Sequence, residues 1–133
     1  MHRLKIKTNT KRQVLDITGH VEAIVRQHYS SGNGVCHLVV LHTTAALTTA
    51  DLDPGTDLDM LDAFERMVPK LNYRHPHDPS HTPDHILSAM IGTSVSLIAE
   101  HGALVLGTWQ RVILVELDGP RSREVAFAFV DSA

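Results

Sequence analysis

Histidine is the residue type in this sequence that offers the most chemistry, with 10 copies among 133 residues. Four copies fall within one stretch of eleven residues: His75, His77, His81 and His85. A fifth, His42, directly follows an apolar run, at a point where a strand can deliver a side chain into a pocket. Neutral imidazole is a common metal ligand, and catalytic zinc sites typically use three protein ligands with one position left open. The histidines therefore predict a site for a divalent metal, with zinc as the first choice.

The local context favours His85 among the candidate ligands. It lies three residues into a helix that Thr82 and Pro83 are expected to start. The positive end of the helix dipole disfavours imidazolium, which keeps the ring neutral for coordination. The same helix end offers free N–H groups to an anion, so a phosphate-bearing ligand can bind beside the metal. Close to His42 in the sequence, the hydroxyl of Thr44 can contact such a ligand.

Plainer explanations stay open for each of these residues. The HExxH and paired-cysteine zinc motifs are absent, so the histidine-rich loop can also be a solvated segment. His42 can equally be a buried strand residue that only makes a hydrogen bond, and Thr44 can merely satisfy the end of the strand. The remaining histidines fall on a tail, on helix surfaces, on a strand and on a turn, and we treat them as background: His2, His20, His28, His37 and His101.

Two further segments place polar side chains within apolar sequence. The GTWQ segment at 107–110 holds a tryptophan that can stack on a flat ligand while Gln110 binds it, although a lone tryptophan is more often part of a core. Glu116 follows four apolar residues, and a carboxylate is rarely buried without a partner. It therefore lies on a solvent face or pairs with Arg121 or Arg123. A pair within a cleft makes Glu116 a candidate general base or an outer-sphere metal residue.

Composition and length exclude several classes of protein. With 43% hydrophobic and 20% charged residues, the chain suits one folded domain over residues 1–133. The formal charge of −3, without a cluster of Lys and Arg, gives no footprint for nucleic acid. The longest apolar run, 35–41, is far shorter than the ~20 residues of a membrane span, and no signal peptide is evident, so a cytoplasmic location is expected. The single cysteine, Cys36, excludes an internal disulfide and a cysteine-based zinc site.

Apolar periodicity predicts an α+β fold that positions these residues. Helical spacing of apolar residues predicts a helix from Thr18, and capping residues predict the starts of two more helices at Thr56 and Thr82. Asp59, three residues after Thr56, is expected to complete a capping box. Short apolar stretches on either side of polar turn residues predict two β-hairpins, which join 4–6 to 14–17 and 112–117 to 125–130. Together with the strands between them, these elements predict one compact domain of mixed or antiparallel sheet layers with about three helices.

Five short motifs together resemble one known family. In chain order they are HTTAA at 42–46, YRH at 73–75, PDHI at 83–86, GTWQ at 107–110 and ELDGPRSR at 116–123. This order, spread over nearly the whole chain, resembles the YjbQ family, also called the secondary thiamine-phosphate synthase family. The resemblance implies a compact α+β fold that assembles as a homotrimer, with a histidine-lined site near a subunit boundary. It also implies that His42, His75 and His85 hold zinc, or another metal such as magnesium, beside an anion.

The resemblance further implies an activity. The family is associated with a weak thiamine-phosphate synthase reaction, which joins a hydroxymethylpyrimidine pyrophosphate to a thiazole phosphate and releases pyrophosphate. In such an enzyme the metal and Arg121 neutralise the leaving pyrophosphate, and Trp109 or Gln110 orients the pyrimidine. Glu116 joins Arg121 and Gln110 as a candidate catalytic residue, and Thr44 joins Trp109 as a candidate ligand contact.

Two alternatives to an enzyme remain open. The chain departs from the family pattern at 48–53 and at 79–81, where the family has acidic residues suited to magnesium or to outer-sphere contacts. In the first alternative, the chain is a non-catalytic trimeric module that binds a metal or a phosphorylated metabolite in the same pocket. In the second, the histidines are structural and the trimer itself is what selection maintains.

Overall fold

Two antiparallel sheets and three helices build the fold in the computed structural model, which describes residues 1–132. Ala133, the last residue of the predicted domain, lies outside the described residues. The strands are β1 (His2–Lys7), β2 (Gln13–Asp16), β3 (Gly34–Val40), β4 (Ala45–Ala50), β5 (Ser94–Glu100), β6 (Ala103–Leu104), β7 (Arg111–Glu116) and β8 (Ser122–Asp131). The helices are α1 (Thr18–His28), α2 (Thr56–Met67) and α3 (Thr82–Ile91), and a short 3₁₀ turn over Pro79–His81 precedes α3.

The sheets contain five and three strands. The larger has the order β1-β8-β3-β5-β6, the smaller has the order β2-β7-β4, and neighbouring strands in both are antiparallel. The predicted α+β class, with antiparallel sheets and three helices in one compact domain, is confirmed. None of the helices within residues 1–132 has the length and apolar character needed to cross a membrane.

Two apolar cores follow from the faces that the strands bury. The first lies between the two sheets and includes α1, and the second lies where α2 and α3 pack on the smaller sheet. β7 serves both cores, because Val112 and Leu114 face the first while Ile113 and Val115 face the second. Burial in the first core also raises the pKa of the Cys36 thiol to about 11, which keeps it protonated at neutral pH.

Both predicted hairpins are wrong, for one reason. β1 pairs with β8 and β2 pairs with β7, so residues 4–6 and 14–17 lie in different sheets. Residues 112–117 and 125–130 are separated in the same way, since β7 belongs to the smaller sheet and β8 to the larger. The turns after β1 and β7 are crossings between the sheets. The pattern of apolar residues reports which faces of a strand are buried, and leaves its pairing partner undetermined.

The two crossings are bonded to each other. The Thr8 N–H donates to the carbonyl of Arg121 at 2.9 Å, and the Gly119 N–H donates to the carbonyl of Lys11 at 2.9 Å. A Cβ atom at Gly119 would come within 2.3 Å of the Thr10 carbonyl oxygen, so this close approach requires glycine. The polar residues that suggested two separate turns therefore form one joint between the sheets.

The start of α2 also differs from its prediction. The helix begins at Thr56 as expected, but no side chain caps its first turn, so the capping box of Thr56 with Asp59 does not form. Gly55 precedes the helix with φ 93°, and the Thr56 N–H donates to the Asp53 carbonyl at 2.9 Å instead. Leu58 in the first turn is 62% exposed, so this end of α2 contributes little to the core.

A buried ion pair lies at the joint between the sheets. Glu116 and Arg123 are 0% and 1% exposed, and Arg123 donates from Nε to Glu116 Oε1 at 2.9 Å and from Nη2 to Oε2. The Thr8 hydroxyl donates to Oε1 at 2.7 Å, and the Asp118 N–H donates to Oε2 at 3.1 Å. Arg123 Nη2 also donates to the Thr44 carbonyl at 3.0 Å. Of the two partners expected for Glu116, the structure selects Arg123.

Hydrogen bonding decides the ionisation of this pair. Burial acts to raise the pKa of Glu116, but the hydrogen bonds from Arg123, Thr8 and the backbone outweigh it and leave the pKa below its ordinary value. Glu116 is therefore a carboxylate at neutral pH. Removing one partner of such a pair leaves the other charge buried without compensation, which costs far more than the intact pair contributes.

We predict that Arg123→Met lowers the free energy of unfolding by ~3–5 kcal/mol, because the Glu116 carboxylate is left buried and unpaired. Urea denaturation at neutral pH measures this loss. The control is Arg3→Met, which breaks the ion pair with Glu124 (3.0 Å); its side chains are 56% and 38% exposed. That loss should be only ~0–1 kcal/mol, since solvent screens an exposed pair. Equal losses in the two variants would contradict the structural role of the buried pair.

Candidate metal and anion site

A pocket of about 400 Å³ opens where β3 ends and β4 begins. Four segments line it: the β3–β4 connection, the 3₁₀ turn together with the start of α3, the crossing after β7 and the start of β8. The lining residues are Leu41, His42, Thr43, Thr44, His81, His85, Asp118, Arg121 and Arg123. The pocket thus brings together four of the residues predicted for the site, namely His42, Thr44, His85 and Arg121.

His85 has the tautomer of a metal ligand. Its Nδ1 lies 3.0 Å from the carbonyl oxygen of Thr43. Because a carbonyl oxygen can only accept, Nδ1 carries the proton and the lone pair of the neutral ring is on Nε2. Histidines that bind metals usually donate their other ring N–H to a carbonyl or carboxylate in this way. The structure therefore leaves Nε2 of His85 able to coordinate an ion.

The other histidines of the loop surround His85 without forming a closed cage. The ring of His75 stacks on that of His85 with centroids 5.1 Å apart and planes at 11°, and its Nδ1 accepts the Asp78 N–H at 3.3 Å. His81 pairs through Nε2 with a carboxylate oxygen of Asp78 at 3.3 Å, and His77 is exposed with its ring 6.3 Å from that of His75. Within residues 1–132, no three His, Cys, Asp or Glu side chains form a group ready to hold a metal ion.

His42 makes a structural hydrogen bond inside the pocket. Its Nε2 accepts the backbone N–H of Glu124 at 3.0 Å, so the ring is neutral and this lone pair is in use. Burial lowers the pKa of His42, and the nearby Arg123 guanidinium lowers it further. The bond fixes the end of β3 to β8. Coordination by Nε2 of His42, which stays a prediction, would require this bond to be exchanged for the metal.

The crossings supply the charge around the pocket. Arg121 donates from Nε to the Asp118 carbonyl at 2.7 Å and from Nη2 to its carboxylate at 2.9 Å, while its side chain stays 51% exposed. Lys11 lies between two carboxylates, 2.8 Å from Asp118 and 3.2 Å from Asp84, and Arg12 donates to Asp84 at 2.8 Å. Three cations thus stand against two carboxylates in this cluster, which borders the pocket through Asp118 and Arg121.

Sequence reasoning missed Asp84, Asp118, Lys11 and Arg12. The first looks like an ordinary acidic residue in the first turn of a helix, and the basic pair looks like part of a hairpin turn. One signal was available: Asp84 lies three and four residues before the buried Leu87 and Ser88, so the helical period places it on the buried face. A buried aspartate needs cationic partners, and no local residue supplies them.

Glu116 and Thr44, both predicted for the site, use their polar groups in the buried ion pair with Arg123. Each carboxylate oxygen of Glu116 already accepts two hydrogen bonds, and Glu116 has no exposed surface. The Thr44 hydroxyl oxygen accepts from Arg123 Nη2 at 2.8 Å, although Thr44 also lines the pocket. Glu116 therefore does not line the pocket itself. It positions Arg123, which does.

The GTWQ segment lies at the other end of the smaller sheet. Gln110 accepts the Gly107 N–H at 3.0 Å and donates to the Thr49 hydroxyl at 3.0 Å, and Trp109 is 70% exposed. Along β4 and β7 the register runs from Ala45 opposite Glu116 to Ala50 opposite Arg111, five residues or ~17 Å further. Within one chain, Trp109 and Gln110 are thus not brought together with the histidines.

Comparison with known proteins agrees with this architecture. Residues 2–132 match the model of the family described as UPF0047 protein YjbQ-like. A UPF0047 protein of Archaeoglobus fulgidus is 37% identical over 123 residues, covering 92% of this chain and 94% of that protein. The UPF0047 protein YugU of Bacillus subtilis is 37% identical over 121 residues, covering 90% and 91% of the two chains.

Solved structures share the same fold. A hypothetical protein from Aeropyrum pernix K1 superposes with a TM-score of 0.90 at 32% identity, covering 98% of each chain. A YbjQ-like protein of unknown function from Sulfolobus solfataricus P2 has a TM-score of 0.90 at 29% identity, covering 98% of this chain and 96% of that one. The similarity of fold therefore spans nearly the whole of this chain.

The hydrogen bond that His42 accepts from the Glu124 N–H should make the stability of the fold depend on pH. Because the fold lowers the pKa of His42, the unfolded chain binds this proton more readily. The contribution of His42 to the free energy of unfolding is complete above the pKa of the unfolded chain, ~6.5. It is lost as the pH falls below that value toward the lower pKa of the folded chain. Urea denaturation of the wild-type chain at about pH 7.5 and about pH 5.5 measures this fall.

His42→Gln should reduce the fall, because the amide oxygen can accept from Glu124 without titrating. His20→Gln, the same replacement at an exposed histidine of α1, serves as the control and should keep the wild-type pH dependence. An unchanged fall in His42→Gln would show that His42 does not carry this dependence.

Proposed function

This chain belongs to the YjbQ/UPF0047 family, and we propose that its histidine pocket binds a divalent metal ion, zinc or magnesium, beside a phosphorylated small molecule. The observation that carries the proposal is the bond from His85 Nδ1 to the Thr43 carbonyl, which leaves Nε2 with its lone pair. Imidazole ligands suit zinc better than magnesium, so zinc is the first choice.

Two of the three predicted ligands, His85 and His75, could bind such an ion with little change in their present hydrogen bonds. His85 needs no rearrangement, and the stacked His75 needs only to release its long 3.3 Å contact with the Asp78 N–H. His42 is the third predicted ligand, and it must give up its 3.0 Å bond to Glu124. When bound, the ion supplies positive charge for phosphate oxygens. The chain's own residues then hold and orient the rest of the ligand.

Arg121 is the residue best placed to bind the phosphate group. Its guanidinium lines the pocket and is half exposed, while Asp118 fixes its orientation from one side. A planar guanidinium can donate two parallel hydrogen bonds to a phosphate, which a lysine cannot do. The start of α3 adds backbone N–H groups and the positive end of the helix dipole.

The reaction that we assign to this pocket is a weak thiamine-phosphate synthase reaction, as the family resemblance implies. Transfer of hydroxymethylpyrimidine from its pyrophosphate to a thiazole phosphate breaks the bond to pyrophosphate, so the pocket must stabilise that leaving group. Arg121 has this role. Trp109 and Gln110 would contact the pyrimidine from a neighbouring copy in a homotrimer, since they lie at the far end of the sheet in their own chain.

A second function, a non-catalytic binding module, is favoured by one observation. Both oxygens of Glu116 are saturated with hydrogen bonds, and the Asp118 carboxylate is held by Lys11 and Arg121. Neither carboxylate is therefore free to take a proton from a substrate. Binding of the phosphorylated molecule without turnover uses the same pocket and requires no such group.

We predict that His85→Ala weakens zinc binding by ~10-fold or more, because the ligand with the free lone pair is lost. Isothermal titration of chelator-treated protein with zinc chloride measures the affinity. His20→Ala is the matched control, since His20 is an exposed histidine on α1, away from the lining of the pocket. Equal affinities in His85→Ala and His20→Ala would refute the metal site.

We predict that Arg121→Gln weakens binding of pyrophosphate by ~10-fold or more, because charge-assisted hydrogen bonds contribute ~1.5–3 kcal/mol. Titration with pyrophosphate measures this effect, and Arg66→Gln on the exposed side of α2 is the control. Product formation from the pyrimidine pyrophosphate and the thiazole phosphate is then assayed with the zinc-loaded wild type. Binding that depends on Arg121 without any product would leave the binding module as the function.

A further inference from the structure

Two histidines outside the pocket, His2 and His28, lie in direct ring contact. Their ring centroids are 4.2 Å apart, and the ring planes are inclined at 33°. His2 is the first residue of β1 and His28 is the last residue of α1, so only the fold brings them together. Neither residue lines the pocket or belongs to the five sequence motifs. The proposed function leaves their contact unexplained.

The position of the pair follows from the strand register. His2 stands opposite Phe127 of β8, and residues opposite each other on paired strands share a face. Phe127 is fully buried in the core between the sheets, and its ring centroid is 6.0 Å from that of His2. The side chain of His2 therefore lies on the inner side of β1, where α1 ends. Glu124, which holds His42, is three residues or ~10 Å away along β8.

Tyr29 gives His2 the partner that a metal-binding histidine needs. The Nε2 atom of His2 lies 3.2 Å from the Tyr29 hydroxyl oxygen. The Tyr29 ring is held in place by stacking on Phe129, with centroids 4.4 Å apart and planes at 13°. When Nε2 of His2 carries the proton, it donates to this oxygen and the lone pair is on Nδ1. Histidines that bind metals usually donate their other ring N–H to an oxygen in this way.

The charge around the pair also suits a metal ion. In the part of the chain that the structure describes, neither ring forms a salt bridge with a carboxylate. Burial lowers the pKa of His2, and the neighbouring His28 lowers it further. At neutral pH the ring of His2 is therefore uncharged, which is the form that coordinates a metal.

The spacing of the rings allows them to share one ion. A histidine nitrogen binds zinc at ~2.0–2.1 Å, so two nitrogens on one tetrahedral ion are about 3.3 Å apart. Rings in contact reach this separation by side-chain rotation, and His28 is exposed and has room to turn. His28 also lies in the last turn of α1, where the negative end of the helix dipole stabilises a cation.

We propose that His2 and His28 together bind a late first-row divalent metal ion, with Tyr29 as the residue that positions His2. Imidazole suits copper, nickel and zinc, and affinity in this series is highest for Cu²⁺. Two protein nitrogens leave the other coordination positions to water, so the site is open to solvent. It goes beyond the proposed function, because it shares no residue with the pocket.

Copper titration of the full chain with the His85→Ala substitution tests this site, because that variant lacks the best ligand of the pocket. Nuclear magnetic resonance of the imidazole nitrogens at about pH 7.5 observes each neutral ring separately. Substoichiometric copper chloride should broaden the signals of His2 and His28 before those of His20, an exposed histidine on the same helix. Broadening of the His20 signals at the same copper concentration would overturn the proposal.

Isothermal titration with copper chloride then measures the affinity in the same His85→Ala chain. His2→Gln and His28→Gln should each weaken binding by ~10-fold or more, since each removes one of two ligands, whereas His20→Gln should leave it unchanged. Circular dichroism verifies that the variants fold. Equal affinities in all three would overturn the proposal. So would a loss in His2→Gln that is absent from His28→Gln, because the ion would then be held without the second ring.

Tyr29→Phe tests the positioning role, since it keeps the stacked ring and removes only the hydroxyl. The ring nitrogen shifts of His2 report which nitrogen carries the proton, and they should change in the metal-free variant while the circular dichroism stays that of the parent chain. Unchanged shifts would overturn this role. Zinc titration of His85→Ala against the wild type tests the pocket separately, so either site can fail while the other stands.

Discussion

The buried pair of Glu116 and Arg123 is the interaction on which the rest of this structure depends. Two charges removed from water are tolerated only when further hydrogen bonds satisfy their remaining donors and acceptors. Here those bonds come from Thr8 after β1, from Thr44 before β4 and from the backbone of Asp118 after β7. The pair therefore requires three connecting segments of the chain to meet at one point. Each of them passes from one sheet to the other, since they join β1 to β2, β3 to β4 and β7 to β8.

The candidate site is a consequence of that joint. The crossing after β1 carries Lys11 and Arg12 to the start of α3, where they surround the buried Asp84, and the crossing after β7 carries Asp118 and Arg121 to the rim of the same pocket. Residues that are far apart in the sequence thus share one electrostatic environment. The GTWQ segment, at the opposite end of β4 and β7, is outside this environment, so a single chain holds the anion-binding part of the proposed site without the aromatic part.

The sequence was sufficient for the parts of the fold that depend on local periodicity. α1 begins at the predicted Thr18 and the apolar run before His42 is a central strand. The predicted capping did not form: α3 starts at Thr82 itself, which was expected to be its N-cap, and no N-cap side chain bonds the first turn of any of the three helices in the described residues. Strand pairing was not accessible, because the apolar pattern of β1 and of β7 reports which residues are buried and not which strand lies beside them, and both crossings contain ordinary turn residues. For the same reason Glu116 could only be given two possible partners. The hydrogen bond from Glu124 to His42 was also inaccessible, since it joins residues 82 positions apart and leaves no local pattern.

The pocket and the outer face of the five-stranded sheet both depend on strands β3 and β8. β3 contributes Val39 to the outer face, and the connection that follows it contributes Leu41 and His42 to the pocket. β8 continues this link, because the N–H of Glu124 holds His42 while its carboxylate pairs with Arg3 on the margin of the face. Arg123 of β8 lines the pocket, while Ala126, Ala128 and Val130 of the same strand lie on the outer face. A shift of β3 or β8 would therefore change both surfaces at once, because each surface includes residues of these two strands or of the connection that follows β3.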